Sequence, residues 1–203
     1  YDLPSEAFAS IRRDTEPRYV VARSGEADVP EGIDLENPGR FDVEAESAPI
    51  DTPAGSARLA RQQFWPALRH LSMYSLRVTA QGMREPHWHP VTAELGYVVS
   101  GQARMTIMSP DGRTDTYDLG AGDMYFVPPA YPHHIEDIGS GVFHILVFFD
   151  QPEPRDIGYR ATGSAYSREV LAATLGITVQ DLPELPYTPV DPLVVDRRNP
   201  VDP

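Results

Sequence analysis

Gly82-Met83-Arg84-Glu85-Pro86-His87-Trp88-His89-Pro90-Val91-Thr92-Ala93-Glu94, continuing to Gly101, is the stretch on which the fold turns. His87 and His89 are two residues apart, so on an extended strand both imidazoles leave the same face and can converge on one ion. Glu94 follows five residues later, and His133 arrives from a different strand pair, which is how a barrel brings a fourth ligand across its mouth. Three imidazoles and a carboxylate suit a borderline divalent ion such as Mn, Fe, Co, Ni, Cu or Zn, and suit Ca or Mg poorly. Taken singly these are ordinary surface or loop histidines; the grouping is what points to a metal.

Working outward, the chain of 203 residues has room for one ordinary domain with arms and can bury a self-sufficient core. Cysteine is absent, so no disulfide, thiolate ligand or cysteine nucleophile enters, and any metal is held by nitrogen and oxygen. A formal charge of −13, with a pI near 4.7, repels phosphate backbones and anionic head groups, which excludes nucleic acid and membrane surfaces as expected partners. The longest apolar run, Val142 to Phe149, is interrupted by His144 and is too short to cross a bilayer. A soluble, cytoplasmic protein is the expectation. The first residue is Tyr1 rather than Met, consistent with an upstream segment removed or left out.

Residues 1–55 are rich in Pro, Gly, Asp and Glu and read as an arm, with a brief helix expected over Glu6 to Arg13. From Ser56 the pattern changes to short β-compatible runs broken by turn residues: Ala57 to Phe64, His70 to Thr79, Leu95 to Val99, Ala103 to Met108, Thr114 to Leu119, Met124 to Val127 and Val142 to Phe149. Ser109-Pro110-Asp111-Gly112 reads as a hairpin turn, with Pro presetting φ at the second position. Beyond Asp150 a helix is expected between Ser167 as N-cap and Gly176, with Val170, Leu171 and Leu175 as its apolar face. The tail from Leu182 is punctuated by prolines and suits an extended segment lying on a surface.

Gly82, His87-x-His89, Glu94 and Gly101 resemble the first motif of the cupin family; Gly122, Pro128 and His133 resemble the second, with Ala130 in place of a usual Gly. The resemblance covers about residues 56–180 and implies an all-β, double-stranded β-helix (jelly-roll) barrel over 56–150. A lid-like loop, helix and Pro-rich tail follow over 151–203. Within that family, Arg84 to Pro90 and the run from Asp150 through Ser167-Arg168-Glu169-Val170 look like the oxalate decarboxylase and germin-like branch. Members with decarboxylase activity carry two cupins per chain, and one is found here.

That likeness implies a mononuclear enzyme acting on a small carboxylate, with Mn as its ion and cleavage of the C–C bond of oxalate as its reaction. It gives Arg84 the task of binding the substrate carboxylate, and it places Glu153, in the lid-like segment Gln151 to Asp156, where the acid that handles the proton stands. Two other readings use the same four ligands: an Fe- or Mn-dependent dioxygenase or isomerase, and a non-catalytic module binding a small ligand. Of the remaining histidines, His134 is expected at the pocket rim and His144 as a hydrogen-bonded core residue. Tyr97, Tyr125, Phe126 and Tyr131 are expected mostly as lining or core, with Tyr125 or Tyr131 reaching the substrate space. The helix and the tail residues Leu182, Leu185, Tyr187, Leu193 and Val194 are expected to join copies of the chain into a homo-oligomer.

Overall fold

The structure, a computed structural model, describes residues 20, 22, 24–26, 39–80, 82–184 and 191–197. The chain divides into two units, Tyr1–Leu35 and Glu36–Pro203, and the second holds every strand and helix among the described residues. The helix expected over Glu6 to Arg13 lies outside the described residues, as do Leu185 and Tyr187.

Two antiparallel sheets carry the fold. The first has the order β1 (Ile50–Thr52), β2 (Gly55–Ala60), β3 (Ser72–Val78), β10 (Phe143–Phe149), β5 (Glu94–Ser100) and β8 (Met124–Val127). The second has the order β11 (Ile157–Gly158), β4 (Gly82–Trp88), β9 (His133–Asp137), β6 (Gln102–Met108) and β7 (Thr114–Gly120), with β12 (Val194–Asp196) also paired to β4.

The expected closed barrel is not formed. Closure needs a continuous hydrogen-bond ladder around the sheet. Among the described residues each sheet instead ends in free edges, β1 and β8 in one, β7 and the β11/β12 side of β4 in the other. The sheets pack as an open sandwich around one core, to which the first contributes Leu76, Val98, Ile145 and Val147 and the second Ala103, Met105, Ile107 and Ile135.

Alternation along β6 sends Ala103, Met105 and Ile107 inward, and the turn after it forms as expected, with Gly112 donating to the Ser109 carbonyl at 2.9 Å. Gly101 turns β5 into β6 at φ +89°, where a Cβ would also stand 2.7 Å from Cα of Phe143. The sheets continue through β4 and β9, which the strand pattern missed. Pro86 lies inside β4 because the register shifts between Arg84 and His87, a bulge where no ladder donor is required. That extra residue also turns Arg84 and His87, three apart, toward the same interior.

The helix α2 (Arg168–Leu175) follows α1 (Tyr159–Ser164) and has the expected ends: Ser167 Oγ accepts from Val170 N, and Gly176 is left-handed at φ +68°. Its apolar face is mostly bare, with Val170 and Leu175 exposed and Ala172 the buried residue. The tail returns to its own chain: Leu182, Leu193 and Val194 are buried, and β12 lies against Gly82 to Arg84. No helix among the described residues is long and apolar enough to cross a membrane.

Candidate metal centre

His87 is the penultimate residue of β4, His89 lies just beyond it, Glu94 opens β5 and His133 opens β9. All four are buried, and one donor atom from each lies within 4.8 Å of the others. His87 and His133 are cross-strand partners with ring centroids 4.1 Å apart. Glu94 Oε2 lies 2.9 Å from His89 Nε2 and 3.2 Å from His133 Nε2. Ligands about 2.1 Å from an ion and at right angles to one another stand roughly 3 Å apart, so this spacing fits a coordination shell. The donors are three nitrogens and an oxygen, and they form a site for one metal ion.

The far side of each ring is also held. Nδ1 of His87 faces the Glu85 carbonyl at 2.7 Å and Nδ1 of His133 the Tyr131 carbonyl at 2.9 Å. With the proton on Nδ1 in both, each ring donates outward and offers a free Nε2 lone pair inward. His89 differs: Asp156 Oδ1 faces its Nδ1 at 3.1 Å as an ion pair rather than as an aligned hydrogen bond. Glu94 Oε1 accepts a 2.5 Å hydrogen bond from the Tyr125 hydroxyl, which leaves Oε2 to face the imidazoles. Tyr125 reaches that oxygen across Gly96, where a Cβ would meet its ring at 2.1 Å. Beneath His89, the Ala130 N–H donates to the His89 carbonyl at 2.8 Å from a backbone held at φ +66°, strained for a residue with a side chain.

Charges follow from this packing. Burial, with Arg84 and the neighbouring imidazoles, holds His87 well below the usual histidine range. Burial also opposes the charge of His89, but Asp156 and Glu94 outweigh it and raise its pKa to about 9. Burial opposes ionisation of Glu94 as well, and His133 and His89 overcome it, so the carboxyl sits well below its ordinary value. Ligation displaces any proton on His89, which couples metal uptake to pH.

Arg84 is buried in the wall of the small cavity that His87, Glu94, Tyr125 and His133 also line. It is ion-paired to Asp156 through Nη2, and Nη1 donates to the Leu193 carbonyl at 3.3 Å. Glu153 lies apart from this group: its side chain is 49% exposed and contacts Arg61 at 3.0 Å. The segment bearing both acids is pinned by Thr92, whose hydroxyl donates to the buried Pro154 carbonyl, after which Arg155 at φ +56° directs the next residue, Asp156, inward. Asp156 is the residue that sequence reasoning missed; the segment held two carboxylates, and spacing does not tell which one turns in. His134 is not at the cavity rim. It lies on the other face of β9 from His133, in an outer groove with Glu136 and Arg197. Tyr97 and Phe126, expected as lining or core, are exposed, whereas Tyr125 is buried and Tyr131 packs against the core.

The cupin family model matches residues 43–181, and the chain belongs to the cupin family. It is 34% identical over 134 residues to the oxalate decarboxylase OxdC of Bacillus subtilis, covering 65% of this chain and 34% of that protein. It is 28% identical over 134 residues to germin-like protein subfamily T member 3 of Arabidopsis thaliana, covering 62% of this chain and 59% of that one. A solved structure of the Bacillus subtilis oxalate decarboxylase superposes with a TM-score of 0.72 at 25% identity, over 85% of this chain and 44% of that one. Mn(II) centres are described for that Bacillus subtilis enzyme. The chain spans a third to three-fifths of the length of these curated relatives.

Proposed function

We propose that this cupin cleaves the C–C bond of oxalate, or of a closely related small carboxylate, at one Mn ion held by His87, His89, Glu94 and His133. The observation that carries the reading is the Arg84 guanidinium, buried in the wall of the same small cavity as His87, Glu94 and His133. Likeness to the Bacillus subtilis oxalate decarboxylase, and to its Mn(II) centres, supports the substrate and the ion. The division into an arm over 1–55, a core over 56–150 and a lid-like loop, helix and tail over 151–203 belongs to the same reading.

A bound divalent ion supplies Lewis-acid stabilisation of negative charge on the carboxylate beside it. Arg84 orients that carboxylate, because a guanidinium fork matches its two oxygens. Asp156 holds the fork in place until substrate arrives. Tyr125, by occupying Oε1, keeps Glu94 from rotating. Hydrogen oxalate passes to formate and carbon dioxide with atoms in balance: the C–C bond breaks, carbon dioxide leaves, and the carbon left behind takes up a proton. Glu153 is the acid for that proton in this reading, which requires the 151–156 segment to release Arg61 and turn inward. Asp156, already beside His89, is its rival for the role.

The test is metal analysis of the purified protein together with an oxalate-loss assay. Stoichiometric Mn with formate and carbon dioxide in equal amounts is the expected result. Peroxide in place of formate would reassign the reaction to oxidation. Oxalate that binds and persists would leave a small-ligand-binding module. The chain is also proposed to act as a homo-oligomer, supported by the apolar surface it leaves exposed.

A further inference from the structure

We infer that the cavity on the outer side of the Arg84–Asp156 ion pair is a second carboxylate subsite of the same centre, with Arg61 as its anion-binding residue. The chain therefore selects a dicarboxylate longer than oxalate, with one end on Arg84 and the other on Arg61. The inference rests on the carboxylate-binding role proposed for Arg84 and narrows the substrate class.

Two spaces adjoin at that ion pair. The inner one, between the metal ligands and Arg84, holds about 10 Å³, room for roughly one water. The outer one holds about 360 Å³, within the range of small-ligand sites. Tyr74 lines both, and the two partners of Arg84, the Asp156 carboxylate and the Leu193 carbonyl, belong to residues of the outer wall. Asp156 is thus a carboxylate that reaches Arg84 from the outer side, and it marks the path open to a ligand. A ligand that takes its place at Arg84 must extend outward, because the inner space has no room for a longer body. Oxalate, whose two carboxylates are bonded directly, has no spacer to carry one of them past the position of Asp156.

The outer cavity offers such a spacer an apolar wall and offers its far end a cation. Ile50, Tyr74, Ala161 and Leu193 can face the methylene groups. Arg61 follows β2, and its guanidinium carbon stands 4.9 Å from the centre of the Tyr74 ring. That packing fixes its position and leaves its donors underused: Nη1 donates to Glu153 at 3.0 Å, and the buried Nε has no partner among the described residues. Burial lowers the Arg61 pKa, and the charges of Glu153 and Asp156 oppose the shift, so this guanidinium gains from added negative charge. Glu153 is half-exposed, and an ion pair with such an acid is weak enough for a ligand carboxylate to replace it.

The acids of the wall are already matched. Glu153 meets Arg61, Asp156 meets Arg84, and Asp191 accepts from the backbone N–H groups of Gly158 and Ala161. The exposed Arg155 lines the same cavity with no acid partner among the described residues, and it supplies a charge for Asp156 when a ligand displaces it.

The experiment is isothermal titration of the full, metal-loaded chain with malonate, succinate and glutarate, each set against propionate, butyrate or valerate, in which a methyl replaces one carboxylate. At the succinate or glutarate length the diacid should bind about 10-fold tighter than its partner, the low end of what a charge-assisted hydrogen bond contributes. Arg61→Gln should remove that advantage with monoacid affinity and metal content unchanged. Arg61→Met, which keeps a stem against Tyr74, serves if the first variant folds poorly. Equal affinity within every pair, or an advantage that survives loss of the Arg61 guanidinium, would overturn the subsite. Diacid binding that Arg84→Lys leaves unchanged would overturn the bridge between the arginines. Either failure leaves the oxalate assay standing, whereas a diacid advantage in a chain that does not consume oxalate would keep the subsite and remove oxalate as the substrate.

Discussion

Among the described residues, a buried histidine–glutamate cluster and a half-exposed one stand on opposite faces of the first sheet, and one of the two is built for a metal. Between the sheets, three imidazoles converge on Glu94, with the outer nitrogen of each ring facing a carbonyl or Asp156. On the outer face of the first sheet, His144 Nε2 lies 2.9 Å from Ser75 Oγ and 3.7 Å from Glu44. There a single ring nitrogen meets a hydroxyl and a carboxylate that is 42% exposed and already paired with Arg77. A histidine beside a glutamate is therefore weak evidence for a metal. Convergence of several rings whose far nitrogens are already engaged is strong evidence, because it fixes tautomer and direction together.

The widest separation between the clusters should come from deleting a ring in each. His87→Ala is expected to lower metal affinity by more than about 100-fold, beyond the range seen when an outer partner is lost. His144→Ala should keep stoichiometric metal and cost only stability. Elemental analysis after dialysis reads both, and near-full metal in the His87→Ala protein would falsify the ligand set.

Asp156→Asn tests whether engaging the far nitrogen matters. It keeps the shape and removes the charge that faces His89 Nδ1, so affinity should fall about 10-fold in a chelator competition. Unchanged affinity would reduce Asp156 to a partner of Arg84.

Each cluster also has its own arginine, which gives a finer contrast. Arg84→Lys keeps the charge but loses the fork, and kcat/KM for oxalate should drop about 10-fold at constant metal content. Arg77→Lys, beside Glu44, should leave turnover alone. Equal kinetics in the two variants would return Arg84 to a purely structural ion pair.

The smallest effect is one of pH. Burial first, and Arg77 next, hold His144 below the ordinary histidine range, so the folded form binds fewer protons than the unfolded chain as the solution becomes acidic. Its contribution is complete above about pH 6.5 and is lost as pH falls toward the depressed folded value. Glu44, lowered by its Ser75 hydrogen bond and by Arg77, acts with the same sign below about pH 4.5. His144→Asn should flatten the acid side of the Tm profile by a few °C at most, the scale of roughly 1 kcal/mol. A profile parallel to wild type between pH 7 and 5 would remove His144 from the account.

The four ligands were legible because metal chemistry restricts residue type and spacing at once. The strands carrying them were less so. His133 to Asp137 is a polar run that hydropathy does not mark as a buried strand, and Pro86 argues against β4 until its bulge is seen. Tyr97 and Phe126 were expected inside for the same reason in reverse: alternation reveals two faces but not which is inner, and hydropathy alone would have buried Leu95 and Tyr97 and exposed Glu94. The ligand overrides that preference. Closure of the barrel was illegible for a different reason, since it depends on whether edge strands meet, and no residue of β1 or β8 encodes that by type.

One late strand sets an order of events during synthesis. β12 pairs with Gly82 to Arg84, and the carbonyl just before it, that of Leu193, accepts from Arg84. Translation delivers residues 193–196 about a hundred residues after the first ligands, and the sheets can pair as soon as β10 is free. The wall behind Arg84 closes later. A nascent chain can thus bring its four metal ligands together before residues 193–196 back Arg84, so an ion can enter early, and under the proposed function carboxylate binding would wait for that later segment. Chains stopped at residue 192 should take up metal and bind oxalate weakly; tight oxalate binding by such chains would reverse that order.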